Sequence, residues 1–514
     1  MRKIVKAVVV FVAIVMAGVT YRFIAWLPPV NTPAGGILGT LLPFLREERP
    51  ELTLDLLRER ITLAPGFGMS VFATDIPGAR AMRMTRAGDL LVSSPPTGQV
   101  FLVERDRDGD GVADGQRVLL DQLKAPLGLD FHLDWLYVGE RDAIGRVAFD
   151  HDAGRVVGSY ERVVTNMASG SGGHSKKPIR FGPDGLLYVN VGSTCNACLE
   201  DDPRSAAIVR YTPEGQREEV YATGLRNSAG FDWSPRDGKL YATDNGRDLL
   251  GDDFPPCELN EIRQGEFYGW PFANGDRIPD PDFGEGRDDE ILRSVAPVHE
   301  FRAHNAPLGI AFIRGDWVPG DYRGAAIVAL HGSWNRSRKD GYKVVSLHWH
   351  ADGSIEERDF MIGFLRDEHV IGRPAEVAEG SDGALYIADD YADAVYRVVY
   401  GRGEGVLGGA EFAAGEVATR GEVARYERDE LDPEVIALAM IEGPEQFDAL
   451  ACGACHVDTA GASGNLVVLD GLAARYSPES LARYLAAPQA PMPPVELDED
   501  ARRQLSIYLL ESHP

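Results

Sequence analysis

Two cysteines and a histidine stand together as Cys452-Gly-Ala-Cys455-His456. Cys-x-x-Cys-His is the attachment pattern of c-type haem, in which the thiols form thioethers to the vinyl groups and the adjacent imidazole reaches the iron. A second axial ligand is expected from the C-terminal side, where Met492 sits in Ala490-Pro-Met-Pro-Pro494. The flanking prolines restrict the backbone around that thioether. Histidine–methionine ligation raises the reduction potential, which suits an electron acceptor. Such a group makes this a chain that moves electrons.

A second group of reactive residues lies upstream. His174 occurs in Gly172-Gly-His-Ser-Lys-Lys-Pro-Ile-Arg180, and a neutral imidazole near physiological pH can accept a hydroxyl proton. Gly224-Leu-Arg226-Asn227, Asn245-Gly246-Arg247, Gly332-Ser-Trp-Asn-Arg336 and Gly372-Arg373-Pro follow in order. The chain has 52 basic and 79 acidic residues, a net charge of −27, so arginines recurring beside glycine work against the background. They call for an anion, and a guanidinium fork binds both oxygens of a carboxylate. The same acidity excludes a nucleic-acid partner, whose phosphates it repels.

Other candidates carry less. Asp106-Arg-Asp108-Gly-Asp110-Gly has the early spacing of a calcium loop, but Arg117 stands where the twelfth-position glutamate would be. It reads equally as a calcium site or a solvated hairpin turn. Cys195 and Cys198 are a local disulfide or buried thiols, since zinc needs two further ligands. His299, His304, His331, His348 and His350 have structural roles by default, and His331 is the one near Arg336.

These residues must be held by a scaffold. From about Ile61, short apolar-alternating runs are separated by Gly, Pro and Asp turns, the pattern of β-structure. A turn followed by a short strand recurs: Ala87–Ser94, His132–Gly139, Pro183–Gly192, Arg236–Asp244, a degenerate Pro319–Ala329, and Ser381–Asp389. Allowing one long insertion at about 247–305, the spacing is near that of a four-stranded blade, so six copies predict six blades. Residues 401–430 read as a Gly- and Glu-rich linker. Their formal GxGxxG, Gly403 to Gly408, lacks the βαβ unit of a dinucleotide site. Helical periodicity runs from Pro433 to the end, with apolar Leu505, Ile507, Tyr508, Leu509 and Leu510. The expected fold is an all-β six-bladed propeller (61–400) with a small all-α domain (431–514).

The tail, over about 433–514, resembles small class I cytochromes c. The motifs around His174, Arg226, Gly246, Tyr268-Gly-Trp-Pro271, Arg336 and Arg373 together resemble the pyrroloquinoline quinone (PQQ)-dependent aldose, sorbosone and pyranose dehydrogenases, over about 61–400. That resemblance implies a six-bladed propeller, in agreement with the repeat count. It implies that Arg226, Asn227 and Arg373 hold PQQ, with Arg336 or a neighbour as a further cation, by a looser match. It implies a calcium ion on the main-chain carbonyls of Gly246 and Arg247, and His174 as the base. Two departures stand out: Ser193 replaces an Asp of the soluble glucose-oxidising branch, and Cys257 stands where relatives carry an acidic residue.

At the start, Arg2, Lys3 and Lys6 precede an apolar run from Ala7 to Tyr21. This is an export signal, either removed or kept as an inner-membrane anchor (1–30) ahead of a stalk (31–60), and both readings put the body in the periplasm. The expected activity is oxidation of a sugar-like substrate, with electrons leaving through the haem to a soluble or membrane acceptor. A metal-dependent propeller lactonase and a non-catalytic propeller that docks a redox partner are the rivals.

Overall fold

The computed structural model describes residues 50–168 and 172–414, with discontinuous stretches between 431 and 513. The expected N-terminal export segment lies outside them. The chain divides into two compact units, and Gly403–Ala414 belongs with the first.

The first unit is a six-bladed β-propeller. Blade 1 runs through Met82–Met84, Leu90–Ser94, Gln99–Val103 and Gln116–Leu120, and blade 2 through Gly128–His132, Trp135–Gly139, Ile144–Asp150 and Arg155–Val164. Blade 3 comprises Ile179–Phe181, Leu187–Val191, Ala207–Tyr211 and Glu219–Thr223. Blade 4 comprises Gly230–Trp233, Leu240–Asp244, Cys257–Ile262 and His299–Phe301. Blades 5 (Pro307–Phe312, Ala326–Leu330, Lys343–Trp349, Ile355–Ile362) and 6 (Pro374–Glu379, Leu385–Asp389, Ala394–Tyr400) complete the ring. Consecutive strands within a blade pair antiparallel, as short connections require.

The repeated sequence has a physical cause. Its Asp-Gly turn puts Gly185, Gly238 and Gly383 at φ of 73°, 69° and 74°, which only glycine adopts without strain. The preceding aspartate then accepts the hydroxyl of a tyrosine four residues on: Asp184 from Tyr188 (2.9 Å), Asp237 from Tyr241 (3.2 Å) and Asp382 from Tyr386 (2.9 Å). The same turn thus starts the second strand of blades 3, 4 and 6 and satisfies the phenol of a buried tyrosine.

The ring is closed by the beginning of the chain. Phe67–Ala73 adds to the outer edge of blade 6, and Thr62–Leu63 pairs with Met361 and Ile362 of blade 5. Phe72 is 1% exposed, with its ring 4.9 Å from that of Tyr386. Two expectations need correction here. The supposed insertion at 247–305 contains the third strand of blade 4, Cys257–Ile262, all six residues of which are buried. The supposed linker begins inside the propeller, because Gly405–Val406 pairs with Gly68–Met69 and Gly409–Ala414 is helical.

In the second unit the described helices are Pro433–Ala449, Pro478–Ala486 and Glu499–Ser512. The first and last approach closely at Gly443, where a Cβ would meet Tyr508. Leu505, Leu509 and Leu510 pack with Leu481 and Leu485.

Candidate active site

In an antiparallel blade, the segment leading into the innermost strand and the segment leaving the second strand lie at the same end. His174 and Lys176 precede the first strand of blade 3, Arg226 and Asn227 that of blade 4, Arg80 that of blade 1 and Arg373 that of blade 6. Cys195 and Asn196, Asn245 to Asp248, His331 and Asp390 follow second strands. This one rule gathers the reactive residues at one face. Most of them line a cavity of about 580 Å³, together with Asn335 and the half-exposed Trp334.

The repeat also positions the arginines. Asp244, the last residue of its strand, accepts the backbone N–H groups of Arg226 (2.9 Å) and Asn227 (2.6 Å). Asp389, at the equivalent place in blade 6, accepts that of Arg373 (2.8 Å). Burial pushes both carboxyls up to about 6 despite those bonds.

His174 sits in the short 3-10 turn Gly172–Ser175, with Nδ1 2.8 Å from Ser193 Oγ. That hydroxyl spends its own hydrogen on the Cys195 carbonyl, at 2.7 Å. It therefore accepts from His174, which places the imidazole proton on Nδ1 and leaves the Nε2 lone pair without a partner among the described residues. Burial, then the Arg226 charge, pulls the imidazole down to about 4, so it stays neutral at physiological pH. Gly192 makes the approach possible, since a Cβ there would lie 2.9 Å from the His174 carbonyl and 3.1 Å from Asn227 Oδ1.

Arg226 is held entirely by protein. Its guanidinium donates to the Asn196 carbonyl (2.9 Å) and Oδ1 (2.8 Å), the Asn245 and Gly246 carbonyls (3.1 and 2.9 Å) and Asp248 (2.7 Å). The Cys195–Cys198 pair forms a disulfide around that loop. Such a set of convergent oxygens is what a hard cation takes, and here the guanidinium takes it. A calcium ion at the Gly246 carbonyl would meet Arg226, so this arrangement supports no metal step. The Arg247 side chain is paired with Asp280 and Asp282, away from the cavity lining.

Opposite charges are balanced differently around blade 6. Asp390 pairs with Arg80 Nη1 (2.6 Å) and with His331 Nε2 (2.7 Å). Burial and the Arg373 charge hold His331 down at about 3, so it donates as a neutral ring. Arg373 gives Nε and Nη2 to the carbonyls of His331 and Gly332, each at 3.1 Å.

The cavity therefore brings together His174, Arg226, Asn227, Gly246 and Arg373. Arg336 is a correction: it bonds the carbonyls of Asp252 and Ala303 and the Asp253 carboxylate, and it does not line the cavity. Sequence reasoning missed Arg80, Lys176 and Asp390, although each stands at a position the blade rule selects. Of the residues expected to hold haem, Cys455, Met492 and the His456 side chain lie outside the described residues, while Cys452 opens a 3-10 turn after the helix Pro433–Ala449. In the Asp106 loop, three carboxylates come within 4.8 Å, but Asp106 is bonded by Arg397 (2.9 Å) and Asp114 by Arg107 (2.8 Å). The loop is satisfied as a turn.

Known proteins agree with this architecture. The holo form of the PQQ domain of a pyranose dehydrogenase from Coprinopsis cinerea superposes with a TM-score of 0.57 at 20% identity, covering 66% of this chain and 97% of that one. A calcium structure of a Trichoderma reesei carbohydrate-active enzyme of family AA12 gives 0.59 at 19%, covering 69% and 99%. At those identities the likeness shows the fold. The aldose sugar dehydrogenase YliI of Escherichia coli K12 is 25% identical over 306 residues, 54% of this chain and 76% of that protein. An uncharacterized protein of Borreliella burgdorferi is 29% identical over 349 residues, 65% and 89%. The family model described as glucose/sorbosone dehydrogenase matches residues 136–397, more than half of the chain, and the chain belongs to that family.

Proposed function

We propose that this protein oxidises the anomeric hydroxyl of an aldose, or a hydrated sugar aldehyde, with PQQ held in the propeller cavity. The observation that carries the reading is the free Nε2 of His174, fixed by Ser193 at the wall of a cavity rich in cations. PQQ bears three carboxylates, and the residues present fit it: Arg373 retains an unbonded Nη1 among the described residues, and Asn227 lies beside His174. When bound, that quinone supplies the hydride acceptor. His174 Nε2 takes the hydroxyl proton as the C–H hydride leaves, and Nδ1–H stays on Ser193 to hold the ring in plane. The indole of Trp334, half exposed at the cavity, offers a flat apolar face to a sugar ring.

The second unit is proposed as the electron outlet. When attached at Cys452 and Cys455, with His456 and Met492 on iron, haem c supplies a one-electron path to an external acceptor. The Cys-x-x-Cys-His pattern and the closely approaching helices at Gly443 and Tyr508 support this. The Cys195–Cys198 disulfide supports the export reading, because such bonds persist in oxidising compartments. A lactonase would need a metal-bound water, and the oxygens able to hold that metal are turned to Arg226.

The test is anaerobic reduction. Protein reconstituted with PQQ is expected to reduce an artificial dye on addition of an aldose, and the haem α-band should rise with it. No dye reduction across neutral aldoses, sorbosone and hexuronates would overturn the dehydrogenase reading. Dye reduction without a haem band would overturn only the cytochrome part.

A further inference from the structure

The two lysines after His174 go to different places. Lys177 is buried within the propeller, its amine donates to the Ser175 carbonyl at 3.0 Å, and its own carbonyl packs where a Cβ on Gly128 or Gly139 would stand. Lys176 lines the cavity instead, and its amine has no hydrogen-bond partner among the described residues. Alternate side chains of an extended segment point to opposite sides, so the pair divides between wall and cavity.

The neighbours of Lys176 are unusual for an amine. Arg80 of blade 1 and Arg373 of blade 6 repel it, burial disfavours its charge, and the Asp390 carboxylate opposes them. That carboxylate is already shared between Arg80 and His331. Three basic side chains from three blades thus line one cavity, beside an acid already bonded to Arg80 and His331, inside a chain of net charge −27. Packing three cations around one anion is unfavourable unless a further anion completes the set. The Arg80 charge and burial pull the amine down to about 7, and an anion bound beside it would restore its charge.

We propose that Lys176, with Arg80 and Arg373, forms a carboxylate-binding pole in the cavity. The inference rests on the quinone reading above, which names PQQ as the first source of that carboxylate; the second source is the carboxylate of an acidic sugar. Arg226, satisfied by five oxygens, does not serve this role, and Lys176 takes it over.

The test uses the full chain freed of PQQ, with PQQ and benzene-1,3,5-tricarboxylate as probes, for wild type, Lys176→Met and Lys176→Arg. Circular dichroism and the melting temperature establish that each variant folds. The pole predicts that Lys176→Met weakens both probes at least tenfold and that Lys176→Arg stays within threefold of wild type. If PQQ affinity is unchanged in Lys176→Met but KM rises tenfold for hexuronates and not for neutral aldoses, the pole stands and its ligand is the substrate. If neither probe affinity nor hexuronate KM moves, the pole is wrong even where wild type binds PQQ and turns over. If wild type binds the tricarboxylate through Lys176 but not PQQ, the pole stands and the quinone reading falls. A wild type that binds neither probe, at any accessible concentration, overturns the pole.

Discussion

Ser193 Oγ lies between His174 Nδ1, at 2.8 Å, and the Cys195 carbonyl, at 2.7 Å, and its single hydrogen can serve only the carbonyl. The hydroxyl is therefore an acceptor toward histidine, and Ser193 locks the ring's tautomer. Replacing Ser193 with Ala removes the lock without touching the base. We expect kcat to fall about 10- to 100-fold, with PQQ affinity within threefold of wild type. His174→Gln should cost about 10² to 10⁴ in kcat, the range for loss of a general base. Steady-state kinetics beside a PQQ titration checks both. An unchanged kcat in His174→Gln contradicts the assignment.

The histidines give a pH dependence of known sign. His174 and His331 are held at about 4 and 3, below the ordinary value near 6.5. The unfolded chain therefore binds more protons than the folded one between those limits, so stability falls as pH drops from about 6.5 toward 4. Activity should follow the same order: the acid limb of kcat/KM lies below pH 6. A limb at 6.5 would mean that His174 is solvated as an ordinary histidine. Urea midpoints and rates between pH 4 and 8 measure the two effects separately.

Metal removal has a geometric expectation. Because the Asn196, Asn245, Gly246 and Asp248 oxygens converge on Arg226, chelation followed by dialysis should change PQQ affinity by less than threefold. A tenfold loss that calcium alone restores would show that the ion displaces the guanidinium from its cage.

The disulfide has a modest and separable role. A loop closed over a sequence separation of 3 constrains the unfolded chain little, worth about 2 kcal/mol in the entropic model. Its larger effect is on Asn196, which grips both Arg226 and the Asp248 backbone. The double variant Cys195→Ser, Cys198→Ser should lose about 2 kcal/mol in urea unfolding and weaken PQQ binding about tenfold. Full retention of binding would show that the loop is held without the bond.

Ring closure is expected to dominate global stability. Phe72→Ala removes a ring 1% exposed from the strand that completes blade 6, and a cost of about 3–5 kcal/mol follows from such truncations. Urea unfolding measures it, and a loss under 1 kcal/mol would contradict the closing role of Phe67–Ala73.

The sequence made the blades legible because the Asp-Gly turn, the tyrosine four residues on and the terminal aspartate all act within one hairpin. Local chemistry of that kind leaves a repeat, as Asp184/Tyr188 and Asp382/Tyr386 show. His174 and Arg373 each follow a glycine at a blade edge, and together with Asn227 they stand in motifs that the family resemblance picks out. Arg80, Lys176 and Asp390 were not, because only closure of the ring brings blades 1, 3 and 6 together, and nothing local marks that. Arg336 shows the converse. Two residues from the cavity-lining Trp334, it turns instead to Asp252 and Ala303, and distance along the chain does not encode the direction of a side chain. Nor could composition reveal that Arg226 spends its donors on backbone carbonyls, the Asn196 amide and the Asp248 carboxylate.

The most direct test of the central claim is acid extraction of the native protein, purified from a host that makes PQQ, followed by mass spectrometry of the released small molecules. The account predicts about one PQQ per chain, retained by wild type and lost from an Arg373→Ala, Lys176→Met double variant. Wild-type protein that turns over sugar yet releases no quinone would contradict it.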